Sequence, residues 1–174
     1  MLRCGLACLL AVAGGAVVGT AAAANATRAG QLSAQDVNYL QTSISGDRFE
    51  IIGGKMALRR GTTAEVRALG ARLIKDHSKS LADSLAEARK FGVEVPKSPT
   101  PSMVWELQTV GAMSGNAFDR AYSSLEVKDH EQDIEETTFE VAHGGDSEIK
   151  QSAKKELPML RMHLALSKRA SATA

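Results

Sequence analysis

The chain has 174 residues, 21 lysines and arginines against 20 acids, a net charge of +1 and 4% aromatics. This balance lacks the basic excess that a nucleic-acid surface needs, so no nucleic-acid partner is expected. The two cysteines, Cys4 and Cys8, both fall in the amino-terminal segment, which leaves no disulfide framework and no thiol chemistry for a folded domain.

Residues 1–26 read as an export signal. Arg3 opens it, an apolar run extends from Cys4 to Val18, and small residues continue to Ala26, with Ala22-Ala23-Ala24 and Ala24-Asn25-Ala26 both suited to signal peptidase. The competing reading is an uncleaved anchor, since Cys4–Ala24 just reaches the ~20 residues of a spanning helix, but its alanines and glycines make it weakly hydrophobic. Cys8 has no apolar region ahead of it, which excludes a lipoprotein. The expected organisation is a signal peptide over 1–26 and one domain over 27–174. That domain has no stable membrane span and resides in the periplasm, with outer-membrane association and a homo-oligomer left open.

In chain order, Ser33 with Asp36 caps a first helix that runs to about Arg60 and stops at Gly61. Thr62 and Glu65 have capping-box spacing and start a second helix that ends near Phe91. Pro96, Pro99 and Pro101 make Gly92–Ser102 a connection. A short helix follows over Ser102–Met113, with Trp105, Met103 and Leu107 as its packing anchor. Asn116 and Asp119 cap the next long helix, which ends before Gly144-Gly145. Asp146 caps the last helix, which runs to about Arg169 with Pro158 inside it. Four long helices, two short turns and one long central connection predict an all-α, ferritin-like four-helix bundle with a short extra helix in that connection.

Lys75-Asp76-His77 recurs as Lys128-Asp129-His130, and Ile74, Leu81, Ala88 and Gly92 answer to Val127, Ile134, Val141 and Gly145. This reads as a duplicated helix pair carrying inward histidines. The second helix has an apolar stripe of Val66, Leu69, Leu73, His77, Leu81, Leu85 and Ala88; the third long helix has Tyr122, Val127, His130, Ile134, Thr138 and Val141. Glu126 stands one turn before His130. His163 lies among Met159, Leu160 and Leu166, and His143 precedes Gly144-Gly145 at a helix end, where it complements the dipole. On the first helix the seam Leu40, Ile44, Ile51 and Leu58 puts Glu50 at the edge of the buried face.

These residues carry a resemblance. Phe49-Glu50-Ile51, Ile74-Lys75-Asp76-His77, Gly115-Asn116-Ala117-Phe118-Asp119-Arg120-Ala121-Tyr122 leading to Asp129-His130, and Leu157-Pro158-Met159-Leu160 before His163-Leu164 resemble the bacterial family called domain of unknown function 4142. The resemblance implies an exported, ferritin-like protein of a kind often labelled as outer-membrane, and it implies no activity.

Ferritin-like di-iron proteins use Glu-x-x-His on two helices. Here Ile74, Val127 and Leu160 occupy the Glu positions, and the centre offers too few carboxylates to neutralise two cations. The remaining set, Glu50, His77, His130 and His163, is nitrogen-rich and suits one transition-metal ion such as zinc, copper, iron or manganese. Asp76 and Asp129 project about 100° from their own histidines, so they and Glu126 are expected to orient ligands rather than bind the ion. Met159 and Met162 read as core filling. The alternative is a non-catalytic envelope or stress-associated interaction module, in which the same His and Glu residues form a structural polar network. No phosphate loop, serine elbow or Cys-His pair is present, so no catalytic residue is assigned.

Overall fold

Capping chemistry sets the first element of the computed structural model, which describes residues 32–174. The expected signal peptide, with Cys4 and Cys8, lies outside the described residues. Ser33 Oγ accepts from the Asp36 N–H at 3.1 Å and the Asp36 carboxylate accepts from the Ser33 N–H at 2.8 Å, a complete capping box that starts α1, Ala34–Arg60. Gly61 closes it by donating to the Ala57 carbonyl at 2.9 Å.

Helix α2 spans Ala64–Phe91, and its cap is Thr63, not Thr62. Thr62 is drawn elsewhere: its N–H and hydroxyl, together with the Thr63 N–H, all donate to the carboxylate of Asp119 at 2.5–3.0 Å. Asp119 therefore does not cap its own helix as its spacing predicts; it satisfies the turn into α2. Gly92 ends α2 in the left-handed conformation, φ 71°, where a Cβ would be strained. Helix α3 is Pro101–Gly111, capped by Thr100 with Pro101 in its first turn. Helix α4 is Gly115–His143 and starts at Ser114 with no side-chain cap bond. Asp146 caps α5, Ser147–Thr173, which continues through Pro158 and past Arg169 to Thr173.

Helix α1 packs along α2 and α4 along α5; the two hairpins meet with α1 on α4 and α2 on α5, and α3 touches α1 and α4. Helices α2 and α4 are thus diagonal neighbours. The Lys-Asp-His repeat lies on the second helix of one hairpin and the first of the other, so it relates helices and not helix pairs. Small residues set the α1–α2 approach: a Cβ on Gly54 would meet the Gly70 carbonyl oxygen at 2.7 Å, and one on Gly70 would meet the Gly54 oxygen at 2.7 Å.

Two apolar clusters close the ends. Phe49, Leu69, Leu73, Phe118 and Tyr122 belong to one, and Tyr39, Leu40, Phe91, Ile149 and Ala153 form the other. Between them the interior is polar, with Asp47, Ser80, Ser84, Thr137 and Ser167 buried around the histidines. This polar middle shifts the stripes. Leu81 and Leu85 are only half-buried while Ser80 and Ser84 face in; Val127, Ile134 and Val141 are half-buried and Thr138 is exposed, while Thr137 and Glu140 are buried. On α1, Ile51 is half-buried and Leu58 exposed. Trp105 anchors nothing, because it is 69% exposed and Leu107 packs inward instead.

Near the α4–α5 turn, buried Glu140 accepts from Gln35 Nε2 at 3.0 Å, and a Cβ on Gly144 would strike its Oε1. Burial and the neighbouring Asp36 push its carboxyl up to about 7 from 4.5, against the Gln35 bond. The folded state then holds a proton that the unfolded chain has lost, so this contribution is complete below pH 4.5 and disappears as pH rises through 7. Glu140→Gln is expected to flatten that decline and to stabilise the protein at pH 8 by roughly 1–3 kcal/mol, measured by urea unfolding across pH.

Candidate metal centre

Each long helix delivers one group to the middle of the molecule: Glu50 from α1, His77 from α2, His130 from α4 and His163 from α5. All four are buried, with 0% exposure except for His77 at 2%. The ring centroids of the three histidines lie 5.0–5.8 Å apart, and one nitrogen from each lies within 4.8 Å of the others. Because α2 and α4 are diagonal, His77 and His130 can approach only across the central axis.

Each imidazole is anchored through one nitrogen. His130 Nδ1 is 2.9 Å from the Glu126 carbonyl oxygen, an obligatory acceptor, so Nδ1 carries the proton. His163 Nε2 is 2.9 Å from Asp76 Oδ2. Asp76 also accepts from Arg72 Nε at 2.5 Å; against its desolvation, the bonds from His163 and Arg72 hold its carboxyl below the usual range, and the ionised carboxylate fixes the His163 tautomer. His77 Nδ1 is 2.8 Å from Asp47 Oδ1. Burial raises Asp47 to about 8.

The opposite nitrogens, His77 Nε2, His130 Nε2 and His163 Nδ1, are buried and have no hydrogen-bond partner in the protein. Burial lowers all three imidazoles to about 4, so they are neutral at physiological pH. Neutral imidazoles held through one nitrogen, with the other turned to a common centre, are the arrangement that binds a borderline metal ion.

Glu50 is not at the edge of its helix face as its seam predicts; it is wholly buried. Nor does it join His77 and His163: its carboxylate groups with Asp129 and His130, and its Oε1 lies 3.8 Å from His130 Nδ1. Glu126 Oε2 lies 3.8 Å from the same nitrogen. Three carboxylates therefore gather on one side of His130, more than the sequence spacing suggested. Burial raises Glu126 to about 8, and burial together with Glu126 and Asp129 raises Glu50.

Sequence reasoning missed Asp47, whose only signal was its position one turn before Glu50, and the cavity it borders. That cavity, about 30 Å³, is lined by Tyr39, Asp47, His77, Ser80, Asp133 and Glu156, and has room for about two waters. Glu156 accepts from Tyr39 Oη at 2.8 Å and from Ser80 Oγ at 3.1 Å, which keeps this side of the centre polar. His143 sits exposed at the end of α4, its Nδ1 3.1 Å from the Phe139 carbonyl oxygen, and takes no part.

Five helices, no strand among the described residues and a buried histidine–carboxylate middle define an all-helical domain with a polar core. The chain belongs to the family described as Domain of unknown function (DUF4142), which it matches over residues 21–169. Its fold is similar to that of a crystal structure of a DUF305 fragment from Deinococcus radiodurans, at 12% identity and a TM-score of 0.72, covering 82% of this chain and 99% of that one. No curated protein matches the chain.

Proposed function

We propose that this is an exported ferritin-like four-helix-bundle protein that binds one transition-metal ion through His77 Nε2, His130 Nε2 and His163 Nδ1. The observation that carries the reading is the pairing on every ring of one anchored nitrogen with one buried, unpartnered nitrogen. Unpartnered buried polar atoms cost roughly 1–3 kcal/mol each, and a single cation would relieve three of them at once. Three imidazoles suit zinc, copper or iron better than manganese, which prefers oxygen, and they leave a further coordination position open. Asp47, Asp76 and the Glu126 carbonyl orient the ligands.

Elemental analysis of protein purified from its native compartment tests this directly. One zinc, copper or iron ion per chain is the expected result, and protein free of all three would defeat the reading. Intact mass of the same sample is expected to place the mature terminus near Asn25 or Thr27; full-length chain recovered from membrane would restore the anchor. Among the described residues no helix is long and apolar enough to cross a membrane.

A second reading, a non-catalytic envelope interaction module with a structural histidine network, draws on the exposed apolar side chains Trp105, Val104 and Met113 around α3. It requires the histidine substitutions to destabilise the protein equally with and without metal.

A further inference from the structure

We propose a second cation site beside the three histidines, built from oxygen donors alone: Glu50, Glu126 and Asp129 bind a hard divalent cation, for which Mn²⁺ is the probe. The proposal concerns different donor atoms from the histidine centre and does not depend on it.

Both carboxylate oxygens of Glu50, both of Glu126 and Oδ2 of Asp129 are buried without a hydrogen-bond partner. Among the described residues, no lysine or arginine pairs with any of the three carboxylates. The Tyr122 hydroxyl is a separate signal. It is fully buried and unpartnered, and the side chain adjoins Glu126: a Cβ placed on Gly53 would lie 3.3 Å from Glu126 Oε1 and 3.5 Å from Tyr122 Cε2. Gly53 thereby leaves room for both groups, and any side chain there would push on them.

The three carboxylates gather on one side of His130. Glu50 Oε1 and Glu126 Oε2 each lie 3.8 Å from His130 Nδ1, and Glu50, Asp129 and His130 each offer an atom within 4.8 Å of the others. His130 Nδ1 is not itself a ligand there, since its proton is given to the Glu126 carbonyl. What remains is carboxylate with a phenol beside it, the donor chemistry of manganese, calcium or magnesium and not that of the nitrogen set next door. With no cationic side chain among them, these three buried carboxyls can ionise together only where a cation binds between them.

The test uses the metal-stripped mature protein, saturated with zinc and then titrated with Mn²⁺ by electron paramagnetic resonance. The expected result is one Mn²⁺ per chain in addition to zinc, with electron spin echo modulation free of directly bound histidine nitrogen. Glu126→Gln should weaken Mn²⁺ binding by more than about tenfold while zinc content is unchanged. His77→Gln should lose zinc and keep manganese. Zinc-loaded wild type that retains no Mn²⁺ would overturn the proposal and identify the carboxyls as a proton-sharing cluster, and so would manganese bound with histidine nitrogen coupling. The modulation is read on the wild type, so the outcome does not depend on how the variants fold. Oxygen-bound manganese in protein that takes up none of zinc, copper and iron would leave this site standing and the histidine reading refuted.

Discussion

Metal-stripped protein is expected to gain about 2.7 kcal/mol of unfolding free energy when the correct transition-metal ion is supplied at a hundredfold excess over Kd, because a ligand bound only by the native state adds RT ln(1 + [L]/Kd). His77→Gln, His130→Gln and His163→Gln should each abolish most of this gain. The reason lies in the arrangement of nitrogens: each ring has one anchored nitrogen and contributes the other, so removing one ring removes a third of the donors while leaving two unpartnered nitrogens buried. Asp76→Asn keeps the shape beside His163 but weakens the charge that orients it, and a tenfold to hundredfold loss of affinity is the expected scale for such an outer partner. The gain should also depend on pH. Proton competition at the imidazoles ends near 4, while Asp47 must ionise to accept the His77 Nδ1 proton and competes up to about 8. Apparent affinity therefore rises with pH across this range and binding releases protons, measurable by calorimetry in buffers of different ionisation enthalpy. Equal loss of stability from the histidine substitutions with and without metal would instead identify a structural network.

Leu73→Ala is expected to cost about 2–5 kcal/mol, since Leu73 is 0% exposed within the larger apolar cluster and truncation leaves a cavity that packed helices cannot close. Leu81→Ala and Ile134→Ala should cost clearly less, because both side chains are half-buried beside the polar middle. Urea unfolding of the three variants decides the order. Equal effects at Leu73 and Leu81 would show that the lower half of α2 packs differently from the arrangement described here.

That contrast also shows how far the sequence could be read. Helix ends were legible wherever capping is local: Ser33 with Asp36, Asp146, and the glycines after Phe91 and His143 act within a few residues of their own helix. Asp119 was not legible, because its partners Thr62 and Thr63 belong to another helix turn. The inward histidines were legible from their apolar neighbours, but the phase of the stripes beyond them was not. Steps of four residues from Leu69 to Leu85 drift by about 40° each relative to an ideal helix, so the line facing the core leaves Leu81 and Leu85 for Ser80 and Ser84. An apolar-periodicity reading follows the leucines, and it fails where the interior is itself polar. Glu50 was displaced to the edge for the same reason: a wholly buried carboxylate contradicts the pattern unless Glu126, Asp129 and His130 around it are known.

The measurement that bears most directly on the metal centre is anomalous diffraction at the absorption edge of the bound ion, collected from crystals of metal-loaded protein. A single strong peak between His77 Nε2, His130 Nε2 and His163 Nδ1, at coordination distance from all three, is the expected result. No anomalous density between those nitrogens, with ordered water bonded to them instead, would contradict it.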